Sequence, residues 1–219
     1  MNLKLQLTMA FIVSVLALIG FSFMAFAISA NDYLNFDSKV MALIQGWESP
    51  LLTGIMKFFT YIGSTGSIIV LSLFILFFLY KVLKHRLELV LFIVVMAGSP
   101  LLNVLVKLCF QRTRPDLHRL IEIGGYSFPS GHAMNAMSLY GILTFLLWRH
   151  IKARWGRIVL IVIGTMMILA IGISRIYLGV HYPSDIIAGY LAGGFWIAIS
   201  IWFFQRHQDR RKDKRNEKN

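Results

Sequence analysis

Apolar residues in this chain gather into long runs separated by short, basic stretches. Runs of that length predict helices surrounded by hydrocarbon rather than strands or soluble surface helices. Six are predicted to span a membrane: residues 7–29, 64–80, 89–106, 133–148, 158–173 and 186–204. Between the first two the pattern changes. Phe36, Val40, Leu43, Ile44 and Trp47 recur near helical spacing, with Asp37, Lys39 and Glu48 among them. That describes a short amphipathic helix lying in the interface, with Trp47 at headgroup level. Pro50 ends it, and Leu51 to Tyr61 forms another short apolar segment. The expected fold class is all-α, a six-transmembrane helical bundle over residues 1–204 with short interfacial helices on its outer face. Residues 205–219 are densely charged, carry no aliphatic or aromatic side chain, and read as a disordered tail. Ala25-Phe26-Ala27 resembles a signal-peptidase site. The first run is longer than the apolar core of most signal peptides, which favours a retained span over cleavage.

Composition agrees with the pattern. Of 219 residues, 57% are hydrophobic, and the mean hydropathy is +0.68. One soluble domain of that length would not be so apolar. A net charge of +12 could indicate a nucleic-acid binder. The basic residues, however, lie in short clusters between apolar runs and in the tail, which suits membrane topology and anionic headgroups and excludes a nucleic-acid face. With six spans, one set of loops holds Lys4, Lys81, Lys84, Arg86, Arg149, Lys152, Arg154, Arg157 and the basic tail. The other holds the smaller set Lys39, Lys57, Lys107, Arg112, Arg114, Arg119 and Arg175. The positive-inside rule then makes both termini cytoplasmic. Residues 107–132 and 174–185 fall together on the outer face. The single cysteine, Cys109, excludes an internal disulfide and a cysteine-based metal cluster.

Candidate chemistry lies on that outer face. The stretch Ser174-Arg-Ile-Tyr-Leu-Gly-Val-His-Tyr-Pro-Ser-Asp185 sits between two spans, where charge and imidazole are costly and usually functional. If the chain turns helically at Pro183, Asp185 can lie back against His181. One imidazole nitrogen would then be fixed and the other left free as base or nucleophile. The same residues also suit an ordinary helix start, with Ser184 or Asp185 as N-cap. Their neighbours tip the balance. Lys107, Arg114 and Arg175 converge with few acids to pair with them, and arginine's planar fork suits phosphate oxygens. Gly131 at a helix start lets backbone N–H groups approach an anion, aided by the helix dipole and the Ser130 hydroxyl. Interfacial snorkelling accounts for one or two such cations but not for two histidines beside them. A phosphate ester needs an in-line nucleophile and an acid for the leaving oxygen. His181 suits the first task and His132 the second.

Lys107-x6-Arg114-Pro115, Pro129-Ser130-Gly131-His132 and Ser174-Arg175-x5-His181-x3-Asp185 resemble, in order, the three-part signature of the type 2 phosphatidic acid phosphatase family. That family is related to vanadium haloperoxidases and bacterial acid phosphatases. The resemblance covers roughly Leu51 to Phe204, and the layout is similar to its bacterial membrane members, which include phosphatidylglycerophosphate and undecaprenyl pyrophosphate phosphatases. It implies that His181 attacks phosphorus to give a phosphohistidine and that Asp185 orients it. His132 would protonate the leaving group and later activate water. Lys107, Arg114, Ser130, Gly131 and Arg175 would hold the phosphoryl oxygens, and no metal or other cofactor is implied. The expected activity is removal of a terminal phosphate from phosphatidylglycerophosphate, undecaprenyl pyrophosphate or phosphatidic acid. A lipid phosphotransferase using the same site, or a headgroup-binding transporter without catalysis, are the competing readings.

Other residues carry less. His118 reads as a polar loop residue, and His85, His150 and His207 as solvated cytoplasmic side chains. Gly189 and Gly193 form a small-residue pair on the last span, suited to packing inside the bundle or to a homodimer seam. Tyr126 and Phe128 suit an acyl-chain entrance or interfacial anchoring.

Overall fold

The computed structural model describes residues 3–30, 34–83, 86–116 and 118–216. Every regular element among them is helical: α1 (Leu3–Ser29), α2 (Leu34–Gln45), α3 (Pro50–Ile62), α4 (Thr65–Phe78), α5 (Arg86–Phe110), α6 (Gly131–His150), α7 (Arg154–Tyr177) and α8 (Pro183–Asn216), with a π-helical turn at Leu79–Leu83 after α4. The helix boundaries follow local chemistry. Ser49 caps α3 by accepting the Leu52 N–H at 3.3 Å, with Pro50 in the first turn. Ser64 and Ser130 cap α4 and α6 in the same way.

Among the described residues, four helices are long and apolar enough to cross a membrane: 7–29 in α1, 87–110 in α5, 154–177 in α7 and 183–210 in α8. A fifth crossing arises if α3 and α4, bent by 55° at a short break, count as one broken span. The helix over 133–148 is present but is not among them. Asn135, Ser138, Tyr140 and Thr144 dilute its apolar character. It tolerates them because α5, α7 and α8 pack around it. Inside that jacket the Ser138 hydroxyl donates to Ser99 at 2.9 Å, and Ser99 donates to Asn135 at 3.5 Å. Buried polar groups that satisfy one another in this way need no water.

Helix α1 lies along α8, with Met24, Ala25 and Ile28 clustered against Phe128 and Ala188. The Ala25-Phe26-Ala27 stretch is thus inside a packed helix. The α6–α8 seam is close. A Cβ on Gly189 would fall 2.8 Å from the Ser130 carbonyl oxygen, and one on Gly193 2.9 Å from that of Met134. The small-residue pair therefore serves packing within the chain.

Two further expectations need revision. Helix α8 continues to Asn216 through residues read as a structureless tail. Its Gln, Arg and Lys residues are good helix formers, and extending a helix already nucleated in a span costs little. His150 is not simply solvated, since its Nε2 lies 3.1 Å from the buried Glu88 carboxylate, which Arg149 also approaches at 3.5 Å. This cluster joins the start of α5 to the end of α6. Lys84 and His85 lie outside the described residues.

Candidate active site

At the other end of the bundle, the three sequence clusters come together. Lys107 is in the last turn of α5 and Arg114 in the loop that follows. Ser130, Gly131 and His132 open α6, Arg175 closes α7, His181 lies in the α7–α8 connection, and Asp185 is in the first turn of α8. Lys107, Arg114, Arg175, His132, His181 and Asp185 are close enough to act on one another electrostatically.

The α7–α8 connection is tight because of Gly179. Its φ of +71° favours glycine, and a Cβ there would fall 1.8 Å from the His118 carbonyl oxygen. The chain then brings His181 back over the start of α8, and the predicted turn at Pro183 forms. His181 Nδ1 lies 3.4 Å from Asp185 Oδ2. That oxygen also accepts the Ser127 hydroxyl at 2.6 Å and the Tyr182 N–H at 3.0 Å. On the other side of the ring, Arg114 Nη1 is 3.0 Å from His181 Nε2. His181 is 2% exposed and Asp185 fully buried. Burial lowers the His181 pKa to about 4, partly opposed by Asp185 and reinforced by Arg175 and Arg114. The resting imidazole is therefore neutral at physiological pH.

The cations behave differently from one another. Arg114 is committed to the chain: Nε donates to the Gly125 carbonyl, Nη1 to the Val180 carbonyl, and Nη2 to the Tyr126 carbonyl, at 2.8–3.1 Å. Lys107 also donates to the Tyr126 carbonyl, at 2.5 Å. Arg175 is 1% exposed and donates from Nη1 to Thr60 Oγ1 at 2.5 Å. Its Nε and Nη2 are buried with no acceptor among the described residues. Two buried guanidinium donors without an acceptor are costly, and a phosphoryl group would supply what they lack.

Ser130 is an N-cap as well as a site residue. Its hydroxyl accepts the Ala133 N–H at 3.4 Å, and its own N–H donates to the Asp185 carbonyl at 3.1 Å. Gly131 is packed by Asn103, whose Oδ1 would lie 3.0 Å from a Cβ at that position. Asn103 Nδ2 in turn donates to the Pro129 carbonyl at 3.2 Å.

This architecture matches known proteins. A sequence model of the PAP2 superfamily matches residues 88–209. The chain belongs to that family. A phosphatidylglycerophosphatase B from Bacillus subtilis is 33% identical over 86% of this PAP2 chain and 91% of its own length. An undecaprenyl-diphosphatase from Sulfolobus acidocaldarius is 28% identical over 78% of this chain and 80% of its own. The crystal structure of a transmembrane PAP2-type phosphatidylglycerolphosphate phosphatase from Bacillus subtilis superposes with a TM-score of 0.75 at 28% identity. It covers 90% of this chain and 96% of that one.

Sequence reasoning about this PAP2 site missed Thr60, Asp37, Arg112, Ser127 and Asn103, and gave Ser184 only the role of an N-cap. Arg112 was visible only as one more basic residue, and Asp37 only as a charge on an amphipathic helix. Their partners are remote in sequence, so spacing gives no signal. Phe128 is neither an interfacial anchor nor an entrance. It is fully buried, with its ring 5.0 Å from that of Phe110 and 5.8 Å from that of Phe21.

Proposed function

We propose that this membrane protein is a lipid phosphatase that removes the terminal phosphate from phosphatidylglycerophosphate first, and from undecaprenyl pyrophosphate or phosphatidic acid as related substrates. One observation carries the reading: the two buried nitrogens of Arg175, without an acceptor among the described residues, lie close enough to a neutral, carboxylate-backed histidine to act on it electrostatically. In the first step His181 Nε2 forms a bond to phosphorus, the bond from phosphorus to the lipid oxygen breaks, and His132 gives its proton to that oxygen. In the second step water attacks phosphorus, His132 takes the water proton, and the N–P bond breaks. Asp185 stabilises the positive ring in between. Arg175, Lys107, Arg114 and the Ser130–Gly131 start of α6 hold the phosphoryl oxygens. Preorganised donors of this kind are usually the largest catalytic contribution.

In this reading α1, α4, α5, α6, α7 and α8 make six crossings, with α2 and α3 in the outer interface. The basic loops and α8 extension face the cytoplasm, and the site lies on the outer face. The lipid chain then stays in hydrocarbon while its phosphate meets the cations. A homodimer through α8 would use a face other than Gly189 and Gly193, which lie against α6.

The test is phosphate release by purified protein in detergent with EDTA, offered each of the three lipids, with His181→Ala in parallel. Release that survives EDTA and disappears in the variant supports the reading, and the relative rates rank the lipids. Equal release from both proteins, or none from either, overturns it. Topology is read separately, by labelling Gly124→Cys and Gly156→Cys in a Cys109→Ser background with an impermeant maleimide. Labelling of position 156 from outside intact cells would reverse the orientation.

A further inference from the structure

Behind the histidine–carboxylate pair lies a second ion pair that occupies none of the fixed positions of the three-cluster signature. Asp37, in α2, is 1% exposed and lies outside the segment matched by the family model. Its Oδ1 accepts the Ser184 N–H at 2.9 Å. Its Oδ2 accepts the Ser184 hydroxyl at 2.6 Å and Arg112 Nη2 at 2.8 Å. Arg112 uses its other terminal nitrogen to reach Ser184 Oγ at 2.8 Å and Asp185 Oδ1 at 2.7 Å. Its guanidinium lies over the Tyr182 ring, 4.1 Å from the centroid.

Each Asp185 oxygen thus has a separate set of partners. Oδ2 faces His181, Ser127 and the Tyr182 N–H, while among the described residues Oδ1 is held by Arg112 alone. A guanidinium bonded only to Asp185 would spend the carboxylate's charge, leaving little to stabilise a positive imidazole. Asp37 at the far side of Arg112 offsets this. Asp37, Arg112 and Asp185 together carry one net negative charge, directed at the ring that becomes positive when Nε2 bonds to phosphorus.

We infer that Asp37 and Arg112 are positioning residues of the reaction, fixing the orientation of Asp185 and keeping a net negative charge behind His181. The inference rests on His181 being the nucleophile. Asp37 also caps the start of α8 and ties down α2, so a purely structural role is the competing account. The two differ in what they predict for kinetics and pH. The charged or titratable groups facing His181 are Arg114 from the α5–α6 loop, His132 from α6, Arg175 from α7 and Asp185 from α8. None of these changes in the variants below.

The experiment measures kcat, KM and the acid limb of kcat/KM for the parent, Asp37→Asn, Arg112→Gln and the double variant, each checked for folding by thermal melting in detergent. Asp37→Asn is expected to lower kcat about 10- to 100-fold, the range seen when the hydrogen-bonded partners that orient metal ligands are lost, with KM changed less than about twofold. Removing the Arg112 charge moves the acid limb to higher pH, and removing Asp37 moves it to lower pH. The double variant carries the parental charge sum, so its acid limb returns to the parental position while kcat stays low. Folded Asp37→Asn protein with parental kcat and acid limb overturns the inference. If either single variant does not fold, the double variant decides, and parental kcat there overturns it equally. An inactive parent, or an active His181→Ala, would instead sink the phosphatase reading itself.

Discussion

Arg114 Nη1 sits 3.0 Å from His181 Nε2. A guanidinium can only donate, so Nε2 is the unprotonated nitrogen and the ring proton is on Nδ1, toward Asp185. The tautomer needed for attack through Nε2 is set before substrate arrives. In the proposed reaction, phosphoryl oxygens entering the site would compete for Arg114 and release the lone pair it occupies.

His181→Ala is expected to abolish turnover. Asp185→Asn, which keeps the shape but removes the charge and permits the wrong tautomer, is expected to cost about 10⁴-fold in kcat, as in other carboxylate–histidine pairs. Steady-state phosphate release measures both. Asp185→Asn at parental rate would show that the carboxylate only caps α8.

The pH profile follows from burial. The His181 pKa is lowered to about 4, below the ordinary value near 6.5. The neutral, nucleophilic ring therefore persists as pH falls through 6 and 5 and is lost only as pH falls through about 4. Once the second ionisation of the phosphate substrate, near pH 6, is corrected for, single-turnover phosphohistidine formation measured between pH 4 and 8 should show no acid limb near 6.5. A limb there would mean that the ring is far better solvated than its surroundings indicate.

His132 is proposed to protonate the leaving oxygen, so its loss matters in proportion to how poor that leaving group is. His132→Ala should lose about 10²–10⁴-fold on a lipid phosphate. It should lose much less in phosphohistidine formation from an aryl phosphate, whose phenolate leaves unaided. Equal losses on both substrates would remove His132 from the acid role.

Thr60 joins α3 to two site residues: its hydroxyl accepts from Arg175, and its backbone lies close enough to His132 to act on it electrostatically. Thr60→Val removes only the first contact and leaves a third Arg175 nitrogen without an acceptor. Arg175→Lys should cost about 10²–10³-fold in kcat, the usual loss for one transition-state donor. Thr60→Val should cost less, with the same bias toward kcat over KM. A Thr60→Val effect confined to thermal stability would separate it from catalysis.

Gly172 tests packing rather than chemistry. A Cβ there would lie 1.8 Å from Tyr190 Oη, which donates to the Ile168 carbonyl at 2.7 Å. Gly172→Ala should destabilise the protein by about 1–3 kcal/mol, as overpacking usually does, and Tyr190→Phe added to it should recover part of the loss. Thermal melting in detergent measures this.

The motif clusters were legible because each is a local string, and the turn at Pro183 could be built from spacing alone. The long apolar runs likewise gave α1, α5, α7 and α8 almost directly. What spacing cannot show is a partner from a distant helix. Asp37 looked like a charge on an amphipathic surface, yet it is buried against Arg112 and Ser184. Residues 133–148 looked like an ordinary span, although their polar side chains depend on a protein jacket rather than lipid. The residues after Phe204 look structureless by composition, but composition does not register that a helix already runs into them.

The jacket around α6 bears on how the protein is made. A helix with Asn135, Ser138 and Thr144 along its length enters hydrocarbon poorly when presented alone, whereas α5 and α7 on either side of it do not share that handicap. The segment that carries His132 should therefore be released into the bilayer only alongside its neighbours. In a glycosylation-reported insertion assay, residues 131–150 should integrate inefficiently alone and efficiently when flanked by α5 and α7. The phosphate site would then be assembled at the moment of membrane entry, as the price of burying Asn135 and Ser138 among neighbouring helices.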